Sequence, residues 1–220
     1  MKRLLFLLCP LASACDSPTV PERFLRDVYD FRLNTPAPSV LRWPNGTTVK
    51  VFDVADADAT ITQYLGAAVT HGIQVWNAAA LYGEVKLERT DQIENADVVV
   101  EYSLTTSPLD LSGCPPGGGF AYTTFCLTAD SEHLRVFPLT SGGTSRVKFV
   151  VTVRTTSATD AATVRKLVAH ELGHVLGIAQ HSPKQTDLMW GGTTLNREDA
   201  SPADRATLQV LYHTVADITP

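Results

Sequence analysis

The spacing of hydrophobic residues predicts two long amphipathic helices. Between Ile61 and Ala80, apolar side chains recur every three or four residues, which places them on one face of a helix. A second such pattern follows Asp160, a residue type that caps helix N-termini, and it continues to Val175, shortly before Gly177. We expect each helix to bury its apolar face against the rest of the domain.

Shorter apolar or alternating runs predict five strands and a last helix. The predicted strands are Thr47–Phe52, Val85–Glu88, Ala96–Tyr102, Phe120–Thr124 and Lys148–Arg154. Ser201 and Pro202 provide a helix cap and a first-turn proline near the C-terminus. This order predicts an α+β domain in which a twisted mixed sheet with two backing helices precedes an irregular segment and a C-terminal helix.

Residues 1–14 have the pattern of a secretory signal peptide. Two basic residues precede the apolar run Leu4–Leu11, which is too short to span a bilayer. Ala12 and Ala14 fit ordinary signal cleavage, but the same stretch also resembles a bacterial lipobox that ends at a lipidated Cys15. We therefore expect export, either as a membrane-anchored lipoprotein (periplasmic or cell-surface) or as a secreted protein.

The chain beyond the signal peptide divides into a tether and one domain. Residues 15–40 are polar and interrupted by prolines, which favours a linker with one short helix around Glu22–Phe31. Residues 41–220 then suit a single domain, which we expect to be a monomer. Hydrophobic residues make up 44% of the chain and charged residues 19%, a globular balance. No basic stripe is present, so nucleic acid is not an expected partner.

The two cysteines within the expected domain flank a loop rich in glycine and proline. In an oxidising compartment, Cys114 and Cys126 most simply form a disulfide. The alternative is a metal site, for which nearby histidines are missing.

Residues 170–174 read HELGH and carry the clearest chemistry in the sequence. Histidines four residues apart on a helix share one face, where neutral imidazole nitrogens can bind zinc. The intervening Glu171 cannot share a ligand position, but its carboxylate can act as general base on a zinc-bound water. The motif also occurs by chance. Here it lies on a capped helix, and Gly177 and then His181 follow it, so a third ligand can return to the metal.

In these residues and their surroundings, the sequence resembles the metzincin metallopeptidases, and most closely their matrixin-like branch. The resemblance rests on HELGHVLG, on the later His-Ser pair and on a following methionine, and it covers roughly residues 41–213. It implies a metzincin-like catalytic domain that uses one catalytic zinc ion. Carried over, the metal ligands are His170, His174 and His181, the catalytic residue is Glu171, and Met189 forms the methionine turn beneath the metal.

The third ligand departs from the family pattern. Gln180 stands where the third histidine is expected, and His181 comes one residue later. A neutral amide is a poor zinc ligand, and a loop absorbs an inserted residue more easily than a helix does. The sequence spacing from His181 to Met189 matches the matrixin pattern. We therefore interpret the shifted position of the third histidine as a one-residue insertion. Asp187 is the nearest substitute if His181 is misplaced.

The segment from Cys114 to Cys126 resembles the matrixin stretch in which a glycine-rich loop leads into the strand that holds substrate. We expect Phe120, Ala121, Tyr122 and Thr123 to bind an extended peptide at a sheet edge. The alternative is a plain disulfide-closed surface loop. The family's ligands for structural calcium or a second zinc are missing here, so those ions are not expected.

Together these features predict a zinc-dependent endopeptidase whose partners are protein or peptide substrates. A lipid on Cys15 would add contact with a membrane. The alternative is a catalytically silent surface lipoprotein that keeps the fold as a binding module. The intact Glu171 argues against that alternative, since a degenerate site can readily lose this residue.

Overall fold

The computed structural model of the chain describes residues 27–220, except for residues 57, 116 and 155–159. Its strands are β1 (Thr47–Asp53), β2 (Val85–Arg89), β3 (Val98–Tyr102), β4 (Ala121–Thr124) and β5 (Phe149–Val153). Its helices are α1 (Ala59–Ala79), α2 (Ala161–Val175) and α3 (Pro202–Tyr212), and a short 3₁₀ turn spans Ile93–Asn95. All five predicted strands and all three long helices are therefore present.

The strands form one mixed sheet in the order β2-β1-β3-β5-β4. The neighbouring pairs are parallel except for β4, which runs antiparallel to β5. Strand β4 thus ends the sheet, and its outer side pairs with no strand among the residues that the structure describes. The expected α+β class with a mixed sheet is confirmed.

Side-chain caps define where the helices begin. The carboxylate of Asp58 accepts hydrogen bonds from backbone N–H groups at the start of α1, and Asp160 does the same for α2. Ser201 and Asp204 form a reciprocal capping box at α3, with Pro202 in its first turn. These local signals stand in the sequence, which is why the helix starts could be predicted to within two residues.

The sheet has a hydrophobic core on each face. The larger core lies between the sheet and helices α1 and α2, and alternate residues of the central strands, such as Val98, Val100 and Tyr102, point into it. The intervening Val99 and Val150 face a smaller core, to which Phe137 and Leu139 contribute from the long connection before β5. Among the described residues, no helix is long and apolar enough to cross a membrane.

The segment before residue 41 differs from the expected tether. Tyr29, Phe31 and Val40 are buried in the main core, and residues 27–31 are not helical. The predicted domain boundary at Leu41 was therefore wrong, because residues 28–40 belong to the domain. The sequence did not reveal this, since the three apolar side chains are widely spaced among prolines and polar residues and follow neither a helix nor a strand period. The predicted signal peptide, the lipidation site Cys15 and residues 15–26 lie outside the described residues.

Cys114 and Cys126 form the expected disulfide, with their Cα atoms 5.9 Å apart. It closes the loop that leads into β4. By the chain-entropy argument, closing a loop of this size stabilises the fold by about 3 kcal/mol.

Candidate metal centre

Three histidines meet at the C-terminal end of helix α2. His170 and His174 lie one turn apart on the helix, and His181 comes from the turn that follows it. One nitrogen from each ring lies within 4.8 Å of the others. The ring centroids of His170 and His174 are 4.9 Å apart, and those of His174 and His181 are 5.0 Å apart. The structure thus brings together the three residues that the sequence indicated.

Backbone carbonyls orient the two helical histidines. Nδ1 of His170 lies 2.8 Å from the carbonyl oxygen of Leu188, and Nδ1 of His174 lies 2.6 Å from that of Ile178. Since a carbonyl can only accept, each Nδ1 carries the hydrogen, and the lone pair of each Nε2 remains available. Such a second partner fixes the ring and its tautomer in metal-binding histidines.

Loss of solvent contact lowers the pKa of all three imidazoles. It is the largest factor that lowers the pKa of His170 to about 4 and that of His174 to about 4. Burial lowers the pKa of His181 as well. A neutral imidazole is the form that binds a metal ion, so the free nitrogens are in the binding state at neutral pH.

Of the three candidates for the third position, His181 is the one that lies with His170 and His174. The side-chain amide of Gln180 turns away from the histidines and donates to the carbonyl of Arg32 at 2.9 Å. Asp187 is buried and accepts a hydrogen bond from the hydroxyl of Ser182. The inserted residue is therefore accommodated in the turn after the helix, where Gly177 has a φ of 106°.

Glu171 lies beside the histidines and contacts the edge strand. Its side chain is buried, and its Oε2 accepts a 2.8 Å hydrogen bond from the hydroxyl of Thr123. Burial raises the pKa of the Glu171 carboxyl, while the Thr123 hydroxyl acts in the opposite direction. No sequence pattern signals this contact, because the two residues are 48 positions apart.

Met189 is fully buried and packs near the C-terminal end of helix α2. A side-chain carbon on Gly173 would collide with the Met189 sulfur and with the ring of Trp76. Gly173, directly before His174, has no side chain and so lets Met189 approach this closely. Met189 therefore packs against the helix that carries His170 and His174.

A cleft runs past the histidines along the edge strand. One lobe lies towards Leu167 and Trp190, the other lies towards Leu33 and Asn34, and Glu171 borders both. Phe120 and Ala121 line the first lobe, and Ala121, Tyr122 and Thr123 line the second. The four residues predicted to hold substrate thus border the cleft. Leu33 and Asn34 were missed, because the sequence placed them in a tether.

The donor set fits a zinc ion. The three imidazoles, two of them held by carbonyls, would hold the ion with three protein ligands, which is the number found in catalytic zinc sites. The cluster could hold a metal ion, and a buried carboxylate lies beside it. Within the described part of the chain, this is the one group of three or more close metal-binding side chains.

No protein-family model and no curated protein matches the chain. Among solved structures, one of myroilysin is similar to it. The two are 14% identical, and the match covers 78% of this chain and 95% of that one with a TM-score of 0.43.

Proposed function

We propose that the chain is a zinc-dependent endopeptidase with a metzincin-like, matrixin-type catalytic domain. The observation that carries the proposal is the convergence of His170, His174 and His181 beside the buried Glu171. A purely structural zinc site is closed by four protein ligands, whereas this one has three and borders a cleft. Glu171 also borders this cleft, and hydrolysis of a peptide bond needs such a carboxylate as general base.

The three histidines would hold the metal through Nε2. When bound there, zinc supplies Lewis acidity, which makes a water nucleophilic near pH 7 and polarises a carbonyl. Glu171 would accept a proton at its carboxylate and then return it to the leaving amine. Burial raises the pKa of Glu171. A raised pKa suits this role, because the carboxyl group must both accept and donate a proton near neutral pH. The Thr123 hydroxyl orients that carboxylate.

The edge strand supports a peptide as substrate. The outer side of β4 pairs with no described strand, and the cleft follows it. An extended peptide can add to such an edge through its main chain, while the two lobes of the cleft receive its side chains. This arrangement suits cleavage within a chain, since the cleft continues on both sides of Glu171.

Hydrolysis of casein or a peptide library tests the proposal. The full chain should cleave, lose activity to a chelator and regain it with zinc. Glu171→Gln should lower kcat/KM by about 1,000-fold, within the range expected for a general base, and should retain one zinc per chain. Glu94→Gln makes the same chemical change at an exposed position and should be indistinguishable from the parent.

The result also separates the two functional candidates. One zinc per chain without cleavage of any tested peptide would contradict the peptidase proposal and favour the binding module. Cleavage that persists in Glu171→Gln would show that another group is the base.

We further propose that the chain is exported and that Cys15 receives the lipid. The support is the sequence pattern of residues 1–15 alone. In bacteria that express the full chain, labelled palmitate should be incorporated, and Cys15→Ala should abolish the label and move the protein to the soluble fraction. A cleaved but unlabelled parent would favour simple secretion.

A further inference from the structure

The segment of residues 27–41, here called the strap, is fastened to the domain at both ends. Near its start, the Tyr29 hydroxyl donates a 2.7 Å hydrogen bond to the buried carboxylate of Asp204 in α3. At its other end, the backbone N–H of Val40 donates to Asp217 at 2.8 Å, and its carbonyl accepts from Asp217 and Ile218. The strap is thus part of the folded domain.

Between these ends, the strap contacts the residues just before the third histidine. We call residues 176–181 the ligand turn. The carbonyl of Phe31 accepts from the backbone N–H of Ala179 at 2.9 Å, and the carbonyl of Arg32 accepts from the Gln180 side chain at 2.9 Å. Two successive strap carbonyls therefore hold the two residues that precede His181.

The start of the ligand turn also contacts the end of the strap and the residues that follow it. Gly177 packs so closely on the carbonyl of Leu41, at the end of the strap, that a side-chain carbon at position 177 would collide with it. Next along the chain, the Trp43 indole donates to the carbonyl of Val175 at 3.0 Å. The turn is accordingly packed against the N-terminal part of the chain from the end of α2 to Gln180.

The ligand turn also serves a second ligand. Its Ile178 carbonyl accepts from His174 Nδ1, so a shift of the turn would disturb His174 as well as His181. The helical period fixes His170 and His174 relative to one another, but it does not extend beyond Val175. Gly177 and Ile178 bond back to the helix, through the carbonyls of His174 and Gly173, but no such bond continues to Ala179 or Gln180. Contacts from outside the helix therefore help to define where the turn places His181.

We propose that the strap is a positioning element of the metal site, in which the Phe31 and Arg32 carbonyls hold Ala179 and Gln180 and thereby set the place of His181. Gln180, at the position where the family pattern has a ligand, acts here through the strap and not on the metal. The proposal rests on the metal site of the proposed function but does not require peptide cleavage.

Zinc affinity of the full chain tests it, measured by competition with a chromophoric chelator. Gln180→Ala removes the donor to Arg32 and should weaken zinc binding by about tenfold, the low end of what loss of groups that orient metal ligands costs. Gln180→Glu keeps the size and replaces the donating amide with an acceptor, so it should weaken binding at least as much.

The matched control is Arg32→Ala. The Arg32 side chain is exposed and bonds Asp30, while only its backbone carbonyl meets Gln180. This variant should bind zinc as the parent does. With Co²⁺ in place of zinc, the visible absorption, which depends on ligand geometry, should change in both Gln180 variants and stay unchanged in Arg32→Ala.

Parent-like zinc affinity and a parent-like Co²⁺ spectrum in both Gln180 variants would overturn the role of the strap while leaving the metal site intact. A parent chain that binds no zinc at all would overturn the proposed function together with this inference. Activity is not needed to tell these outcomes apart.

Discussion

Helix α2 and the turn that follows it contribute to one site by different means. On the helix, His170 and His174 are placed by a regular backbone that begins at the Asp160 cap. In the turn, His181 follows a glycine with positive φ, and the neighbouring backbone is held by a segment about 150 positions earlier in the chain. The placement of two histidines therefore depends on local geometry, and that of the third depends on tertiary contacts.

This difference explains how the chain tolerates an inserted residue. One more residue within α2 would rotate one histidine about 100° away from the other, because a helix advances by 3.6 residues per turn. In the turn, Gln180 points outward to Arg32, and His181 still reaches the other two histidines. The irregular part of the site can change its sequence spacing, provided that its external contacts are kept.

The largest expected effect comes from deletion of one ligand in each region. Zinc binding to structural sites is worth about 10–16 kcal/mol, so loss of one of three protein ligands should cost about 3–5 kcal/mol, or more than about 100-fold in affinity. His174→Ala and His181→Ala should therefore be similarly damaging in a zinc competition assay.

His71→Ala is the control for these variants, since its ring bonds the Glu198 carbonyl away from the site and zinc affinity should not change. If His181→Ala bound zinc as tightly as the parent, the turn would contribute no ligand through His181, and Asp187 would have to be considered again.

A smaller effect is expected from crowding of the turn's histidine. A side-chain carbon at position 191 would lie 2.7 Å from the His181 ring, too close for an undisturbed imidazole. Gly191→Ala should displace the ring and weaken zinc binding by about tenfold. Gly118 also lines the cleft, but a side-chain carbon there would have no atom within 4 Å. The Gly118→Ala variant should therefore bind zinc as tightly as the parent. Equal affinities in both variants would show that the turn moves freely enough to absorb the clash.

The smallest effect concerns the contact between helix and edge strand. Thr123→Val removes the hydroxyl that bonds Glu171 and should lower kcat by about fivefold, since such a hydrogen bond contributes about 1 kcal/mol. KM should change little, because the main chain of β4 is retained. Thr124→Val makes the same change on the opposite face of the strand and serves as control. A change in KM alone would indicate that Thr123 acts on the substrate and not on Glu171.

The same division between local and tertiary determinants decided what could be predicted from the sequence. The helix period, the Asp160 and Ser201 caps and the apolar strands are local patterns, so the α+β class and the positions of His170, Glu171 and His174 could be predicted. The strand order could not be predicted, because it depends on tertiary contacts. The burial of Tyr29 and Phe31 could not be predicted either, because these side chains follow no helix or strand period that would indicate a buried face.

His181 lies between these two cases. The residues themselves left Gln180, His181 and Asp187 as candidates, and the family resemblance was needed to favour one. The structure distinguishes them by contacts between distant parts of the chain, in which Gln180 bonds the strap and Asp187 bonds Ser182. The contact between Thr123 and Glu171 is of the same kind, since a strand pattern does not tell which helix residue its side chains will meet.

X-ray absorption at the zinc edge of the loaded full chain tests the central claim most directly, because it reports the number and type of ligands without reference to activity. We expect three imidazole ligands at about 2.0–2.1 Å and one further light atom, with His181→Ala losing one imidazole. Two imidazoles in the parent, or three that persist in His181→Ala, would contradict the assignment of His170, His174 and His181 as the metal site.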